Sequence, residues 1–147
     1  KKWEDTFFVG RGLDYAVAME GSLKLKEISY VHAEAYAAGE LKHGTLALIV
    51  KDVPVLALCT QDDVFEKTVS NIKEIKAREA HMIGVAFQEN KDIHKVVDEV
   101  IYIPETLPLL APVLTAIPLQ MLAYYAAVHR DCDVDQPRNL AKSVTVE

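Results

Sequence analysis

Short apolar runs alternate with longer stretches of helical periodicity along most of this chain, and that alternation constrains the fold more than any other feature. The runs have the length and content of strands at residues 7–10, 53–59, 81–87 and 99–103, and more weakly at residues 32–37. Strands that alternate with helices favour parallel pairing, because a crossover helix joins parallel neighbours. The pattern predicts an α/β fold, a flavodoxin-like three-layer sandwich around a mostly parallel sheet of roughly four to five strands.

The intervening stretches predict helices at residues 14–30, 62–78 and 109–130, with a shorter and less regular one at residues 40–49. Asp14 is a suitable N-cap for the first helix, and Pro118 predicts a bend in the last. The turn Gly10-Arg11-Gly12 lies at the carboxyl end of the first strand, the edge where parallel sheets bind ligands. Tyr15 stands where a dinucleotide fingerprint needs its third glycine, so a simple turn is favoured.

Composition excludes several classes of protein. The chain has 147 residues and a net charge of −6, which indicate one domain of ordinary size and argue against a nucleic-acid binder with a basic face. Its two cysteines lack the Cys-x-x-Cys spacing and fit a reducing, cytoplasmic setting. The sequence opens at Lys1 with no initiator Met and no signal peptide, so we expect a segment cut from a longer protein.

Residues 107–128 are almost continuously apolar and approach the ~20 residues that a membrane span requires. Prolines, a threonine and a glutamine interrupt the run. A helix that is apolar on all sides must be covered on all sides, so we expect this one to lie in the core or in a subunit interface. We therefore predict no membrane insertion.

The sequence offers no convincing metal site. Asp131, Asp133 and Asp135 have the opening spacing of a calcium loop, but the later places that need Gly and Glu hold Gln136 and Lys142. The five histidines show none of the spacings of zinc ligands. No metal is expected.

Glu20, Lys24 and Glu27 form a polar stripe on the first predicted helix. Such stripes are most often solvated ion pairs, and by the same reasoning Lys142 and His43 would be ordinary surface residues. The same groups could also isomerise a sugar. A lysine forms a Schiff base with a carbonyl, and a carboxylate moves a proton between adjacent carbons.

Three long segments closely resemble the glucosamine-6-phosphate synthase family: residues 18–30, residues 32–44 and residues 135–147. Members of that family carry a glutaminase domain followed by two sugar isomerase (SIS) domains. The chain is identified with the second SIS domain, over residues 1–130, and with the C-terminal tail, residues 131–147. The resemblance implies the conversion of fructose 6-phosphate and glutamine to glucosamine 6-phosphate, with no cofactor.

The resemblance also assigns roles to individual residues. Lys142 matches the lysine that forms a Schiff base with the open-chain ketose, and Glu27 matches the carboxylate that moves a proton between the first two sugar carbons. Lys24 matches the lysine that assists proton transfer at the sugar hydroxyl. His43 matches the histidine that opens the sugar ring and reaches the neighbouring subunit's site, which implies a homodimer.

The tail carries the remaining implied site residues. The backbone near Ala141 lies beside the substrate in the family. Arg138 and Asn139 belong to the segment that couples the isomerase to the glutaminase. The partners implied are the sugar phosphate, the first SIS domain and the glutaminase domain.

Two departures limit what this chain does alone. Lys1 stands where the family's glutaminase has its cysteine nucleophile, so the chain has no glutaminase. The loop Thr60-Gln61-Asp62-Asp63 carries carboxylates where the first SIS domain holds the phosphate with Ser and Thr. We therefore expect the isolated chain to bind fructose 6-phosphate poorly and to turn over little. A non-catalytic sugar-phosphate sensor and a dimerisation module remain as alternatives, although a sensor has no use for the Schiff-base lysine.

Overall fold

The computed structural model describes residues 3–139. Its strands form one parallel sheet in the order β2-β1-β3-β4-β5. The strands are β1 (Asp5–Gly10), β2 (His32–Ala37), β3 (Pro54–Cys59), β4 (His81–Phe87) and β5 (Glu99–Ile103). The predicted α/β fold is confirmed, and the flavodoxin-like strand order places the switch in direction between β1 and β3.

Among residues 3–139, three α-helices cover the sheet. They are α1 (Leu13–Ser29), α2 (Phe65–Lys76) and α3 (Ala111–His129). Single 3₁₀ turns lie at Leu41–His43, Thr45–Leu48, Asp62–Val64 and Ile93–Lys95. The expected helix over residues 40–49 is therefore wrong, because Gly44 has a φ of 144°, which separates two 3₁₀ turns.

The central strand β3 shows how the layers are held. All of its residues are buried, and successive side chains point to opposite faces of the sheet. Val55, Ala57 and Cys59 belong to the core beneath α2. Leu56 and Leu58 belong to the core beneath α1 and α3. This continuous apolar run is typical of a parallel strand covered on both faces.

The register between β1 and β2 determines which end of α1 lies at which edge. Asp5 pairs with His32 and Gly10 pairs with Ala37, so the two strands start and end together. Helix α1 leaves the carboxyl end of β1 and must return to the amino end of β2. The last turns of α1 therefore lie at the amino edge of the sheet.

Helix α3 covers the sheet with one face only. Its buried residues recur along that face as Ala111, Thr115, Leu119, Ala123 and Ala127. The other face exposes large apolar side chains, among them Val113, Ile117, Met121, Tyr124, Tyr125 and Val128. Within residues 3–139 the core therefore covers only one side of this helix, and the subunit interface that the sequence offered for the rest stays a prediction; Met19 and Leu23 of α1 are exposed as well.

By length and composition α3 would also be able to cross a bilayer, and it is the one helix among residues 3–139 of which this is true. A single such helix is weak evidence, because core helices of soluble proteins have the same length and composition. The packing of Leu119 and Ala123 against the sheet gives α3 a role in the folded domain.

Asp14 does not cap α1 as the sequence predicted. Gly12, with a φ of 57°, stands at the N-cap, and Asp14 lies in the first turn and is 2% exposed. Its carboxylate fills the crevice between β1 and β3, where Oδ2 accepts the backbone N–H of Thr60 at 2.8 Å and Oδ1 accepts the Thr60 hydroxyl at 2.5 Å. Burial raises the pKa of Asp14, against the opposing effect of these hydrogen bonds. The donors at the end of β3 are thus already engaged by a carboxylate.

Replacing Asp14 should therefore destabilise the fold. Asp14→Ala leaves the buried Thr60 N–H without its acceptor, and we expect the free energy of unfolding to fall by about 1–3 kcal/mol. Asp14→Asn keeps an acceptor and should cost less. Denaturant titration of the chain at pH 7 measures both, with the exposed Asp62→Asn as the matched control.

A comparison of the wild type with Asp14→Asn tests the raised pKa of Asp14. Between the unfolded pKa, about 4, and the higher folded pKa, the folded state holds a proton that the unfolded state has released. The Asp14 contribution to stability therefore falls as the pH rises through that window, and Asp14→Asn should remove this part of the dependence. Identical pH profiles for the wild type and Asp14→Asn would contradict it.

Candidate functional site

A cleft of about 440 Å³ lies at the amino edge of the sheet, between the end of α1, the start of β2 and the C-terminal tail. Glu27 and Tyr30 line it from α1 and its C-cap, and His32 lines it from β2. Arg138 and Asn139 line it from the tail. The cleft therefore joins two parts of the chain that the sequence separates by more than 100 residues.

Lys24 and Glu27 form the polar pair beside this cleft. The Lys24 Nζ lies 2.8 Å from Glu27 Oε2 and 3.7 Å from Glu20 Oε1. The hydrogen bond to Glu27 is the largest cause that raises the pKa of Lys24, so this lysine is protonated at neutral pH. Both side chains of the closer pair remain partly exposed, at 35% for Lys24 and 25% for Glu27. A ligand can therefore reach a fixed cation and a carboxylate together.

The tail reaches the cleft by way of two turns. Asp131 has a φ of 58°, and the N–H of Cys132 donates to Ala127 O at 3.0 Å, an arrangement that ends α3 in a Schellman motif. Asp133 Oδ1 then accepts the backbone N–H groups of Asp135 and Gln136, each at 2.9 Å. These turns lead the chain back toward the end of α1.

The tail is also attached to the end of α1. The backbone N–H of Arg138 donates to the Tyr30 hydroxyl at 2.9 Å. The Arg138 guanidinium carbon lies 4.1 Å from the centroid of the Tyr30 ring, within the range of a cation–π contact. Arg138 and Asn139, predicted from the sequence as tail site residues, thus lie against the helix that carries Glu27.

The structure does not bring His43 to this cleft. His43 follows the carboxyl end of β2, and its Nε2 lies 3.9 Å from Glu40 Oε2, with 63% of the side chain exposed. Glu27 lies near the amino end of β2, and a strand of that length spans roughly 20 Å. Within one copy of the chain, His43 and Glu27 are therefore directed to opposite edges of the sheet.

Two predicted site residues, Lys142 and Ala141, lie outside the described residues. Their roles stay predictions.

Sequence reasoning missed Tyr30 and His32 as lining residues of the cleft. Tyr30 follows Glu27 by three residues, so helical spacing would have placed it near the same face. The sequence also predicted that ligands bind at the turn after β1. The groups that come together instead lie at the other edge of the sheet.

A second pocket, of about 280 Å³, lies beneath α3 at the amino ends of β1, β3 and β4. Leu25, Leu56, Ile83 and Leu122 are among its lining residues, and its character is largely apolar. Within residues 3–139, no group of three or more His, Cys, Asp or Glu side chains could hold a metal ion. The cleft beside Glu27 is therefore the candidate site.

The sequence of this chain is similar to those of several known proteins. A family model described as "SIS domain" matches residues 1–130. A glutamine–fructose-6-phosphate aminotransferase (isomerizing) of Caldanaerobacter subterraneus is 67% identical over 98% of this chain and 24% of its own length. That of Clostridium tetani is 62% identical with the same coverage. The chain thus spans about a quarter of the length of these curated relatives.

The fold is also similar to that of solved structures. The C-terminal domain of glucosamine-fructose-6-phosphate aminotransferase from Francisella tularensis superposes with a TM-score of 0.84 at 45% identity, over 92% of this chain and 38% of that chain. A glucosamine-6-phosphate deaminase from Thermotoga maritima superposes with a TM-score of 0.77 at 26% identity, over 98% of this chain and 41% of that chain.

Proposed function

Because the chain belongs to the SIS domain family, and its relatives above are isomerising aminotransferases, we propose that it is the C-terminal isomerase part of such an enzyme. The substrate proposed is fructose 6-phosphate, and the product is glucosamine 6-phosphate. Neighbouring domains of the full-length protein supply ammonia from glutamine and hold the phosphate.

One observation carries this proposal: Glu27 and the tail residue Asn139 line the same cleft. Lys142 is three residues beyond Asn139. Three residues of extended chain span at most about 11 Å, and a lysine side chain adds further reach. The amine of Lys142 and the carboxylate of Glu27 can therefore face one open-chain hexose.

The proposed chemistry assigns one task to each group. The neutral amine of Lys142 attacks the C2 carbonyl of the open-chain ketose, and loss of water gives the Schiff base. Ammonia then displaces the lysine at C2. Glu27 takes a proton from C1 and returns it to C2, which converts the ketose skeleton to the aldose skeleton.

Lys24 and His43 support those steps. The protonated Lys24, held by Glu27, donates to the sugar hydroxyl whose charge develops during proton transfer. His43 opens the sugar ring in the site of a second copy, because within its own copy it lies toward the other edge of the sheet. The complete site in this proposal is formed by a homodimer.

The exposed apolar face of α3 supports an assembled state. Val113, Ile117, Met121 and Tyr125 leave large side chains uncovered on one side of that helix. Contiguous apolar surface of this kind marks an interaction site. We infer that the first SIS domain or a second copy covers it. A purely structural dimerisation role is the alternative that this face favours.

Borohydride trapping separates the enzyme from that alternative. The full-length protein is incubated with fructose 6-phosphate and sodium borohydride, which reduces a Schiff base to a stable secondary amine. We expect the hexitol phosphate on Lys142, identified by mass spectrometry of the C-terminal peptide. Labelling of other lysines alone, or of none, would reject the proposed function.

A further inference from the structure

We propose that Tyr30 is a positioning residue that holds the C-terminal tail against the end of α1 and so delivers the amine of Lys142 to Glu27. The inference rests on the proposed function, since it concerns the placing of the Schiff-base amine. It assigns a role to a residue that lies outside the Lys24–Glu27 pair and outside the tail itself.

Two contacts of different kinds join Tyr30 to Arg138. The phenol oxygen accepts the Arg138 backbone N–H at 2.9 Å, and the ring lies beneath the Arg138 guanidinium at 4.1 Å. The hydrogen bond fixes the backbone of the tail at Arg138, and the cation–π contact fixes the side chain of the same residue. Tyr30 therefore constrains both the position and the direction of the chain just before Lys142.

The backbone of Tyr30 is itself unusual. It stands at the C-cap of α1 with a φ of 59°, in the left-handed region. Helix ends commonly place Gly or Asn in this conformation, because a Cβ is disfavoured there. A bulky aromatic residue is uncommon in this conformation, and its contacts with Arg138 are ones that Gly or Asn could not make.

In the sequence, Tyr30 and its partner Arg138 lie close to the two groups that must meet, the Glu27 carboxylate and the Lys142 amine. Tyr30 follows Glu27 by three residues, and its partner Arg138 precedes Lys142 by four residues. Before Arg138, the nearest hydrogen bond between the tail and α1 runs from Cys132 Sγ to Ser29 O, at 3.9 Å. Without Tyr30, the segment between an attachment and Lys142 lengthens from four residues to ten.

That lengthening gives a minimum size for the effect. The probability that a flexible segment brings its ends together falls roughly as the −3/2 power of its length, which is about fourfold here. Loss of orientation adds to this, because the amine must approach the carbonyl in line with its orbital. Removal of both contacts should therefore slow Schiff-base formation by at least about fourfold.

The test compares Tyr30→Leu and Tyr30→Phe in the full-length protein. Tyr30→Leu removes both contacts and Tyr30→Phe removes only the hydrogen bond, and each retains a Cβ in the left-handed backbone. We expect the rate of borohydride-dependent labelling of Lys142 to fall at least about fourfold in Tyr30→Leu and less in Tyr30→Phe. Trypsin cleavage after Arg138 should increase in the same order, and kcat should fall while the KM for glutamine does not change.

The matched control is Tyr102 of β5, whose ring lies 5.5 Å from the Lys91 ammonium. Tyr102→Leu removes another tyrosine–cation pair, far along the sheet from the tail. It should change neither labelling nor cleavage. Arg138→Gln removes the guanidinium from the other side of the contact, and the double variant Tyr30→Leu/Arg138→Gln should be no slower than the slower single variant.

The outcomes are distinguishable. Labelling of Lys142 at the wild-type rate in folded Tyr30→Leu overturns the positioning role and leaves the proposed function intact. If Tyr30→Leu does not fold, Tyr30→Phe and Arg138→Gln decide, and wild-type rates in both overturn the role. Absence of label in the wild type overturns the proposed function and this inference with it.

Discussion

Lys142→Ala in the full-length protein is expected to lower kcat for glucosamine 6-phosphate formation by on the order of 10⁴-fold or more, the size of effect seen when a covalent nucleophile is removed. In the proposed mechanism this amine attacks the ketose carbonyl, and Lys24, which contacts Glu27, is held protonated by that carboxylate and cannot replace it as the nucleophile. Steady-state assay of the product, with glutamine and fructose 6-phosphate both saturating, measures the loss.

Lys142→Arg is the control that separates charge from nucleophilicity. Arginine keeps a cation at the position, but it stays protonated and cannot form a Schiff base. We expect it to be as inactive as Lys142→Ala. An arginine variant with near-normal activity would show that the residue serves only as a charge, and the covalent step would have to be abandoned.

Glu27→Gln is expected to lower kcat by about 10²- to 10⁴-fold, the usual contribution of a positioned general base. Glutamine has nearly the same volume, and its amide oxygen can still accept the hydrogen bond that Lys24 Nζ now donates at 2.8 Å. The change therefore removes proton transfer while it keeps the local geometry. Borohydride labelling of Lys142 should persist, because in the proposed mechanism Schiff-base formation precedes the step given to Glu27.

Glu20→Gln supplies the matched control. Glu20 also faces Lys24, but at 3.7 Å and with nearly half of its side chain exposed. Exposed pairs of this kind contribute little, so the rate should change by less than about fivefold. Loss of labelling in Glu27→Gln, or an equal loss of rate in both variants, would contradict the separate role given to Glu27.

Much of the fold follows from the sequence because strands and helices leave a local signature. The bounds of β4 and β5 agree with the apolar runs at residues 81–87 and 99–103. The environment of Asp14 could not be predicted, because its partner Thr60 lies 46 residues away in the chain. For α3, apolar composition predicted a covered helix, but it does not tell whether the cover comes from the core or from another subunit.

In the candidate site, too, local contacts could be predicted from the sequence and long-range contacts could not. The pairing of Lys24 with Glu27 could be predicted, because residues three or four apart are neighbours on a helix. The contact of Tyr30 with Arg138 could not, since 108 residues separate them and the two turns after α3 bring them together. Nor does spacing in the sequence show that His43 and Glu27 lie toward opposite edges of the sheet.

That opposite placement has a genetic consequence. If each active centre takes its ring-opening histidine from the neighbouring copy, a substitution of His43 inactivates the centre of the partner and leaves the centre of its own copy active. Damage to Glu27 does the reverse. Two differently impaired alleles expressed together would then assemble some dimers with one intact centre, and a mixed dimer of one impaired and one normal copy would likewise keep one working centre.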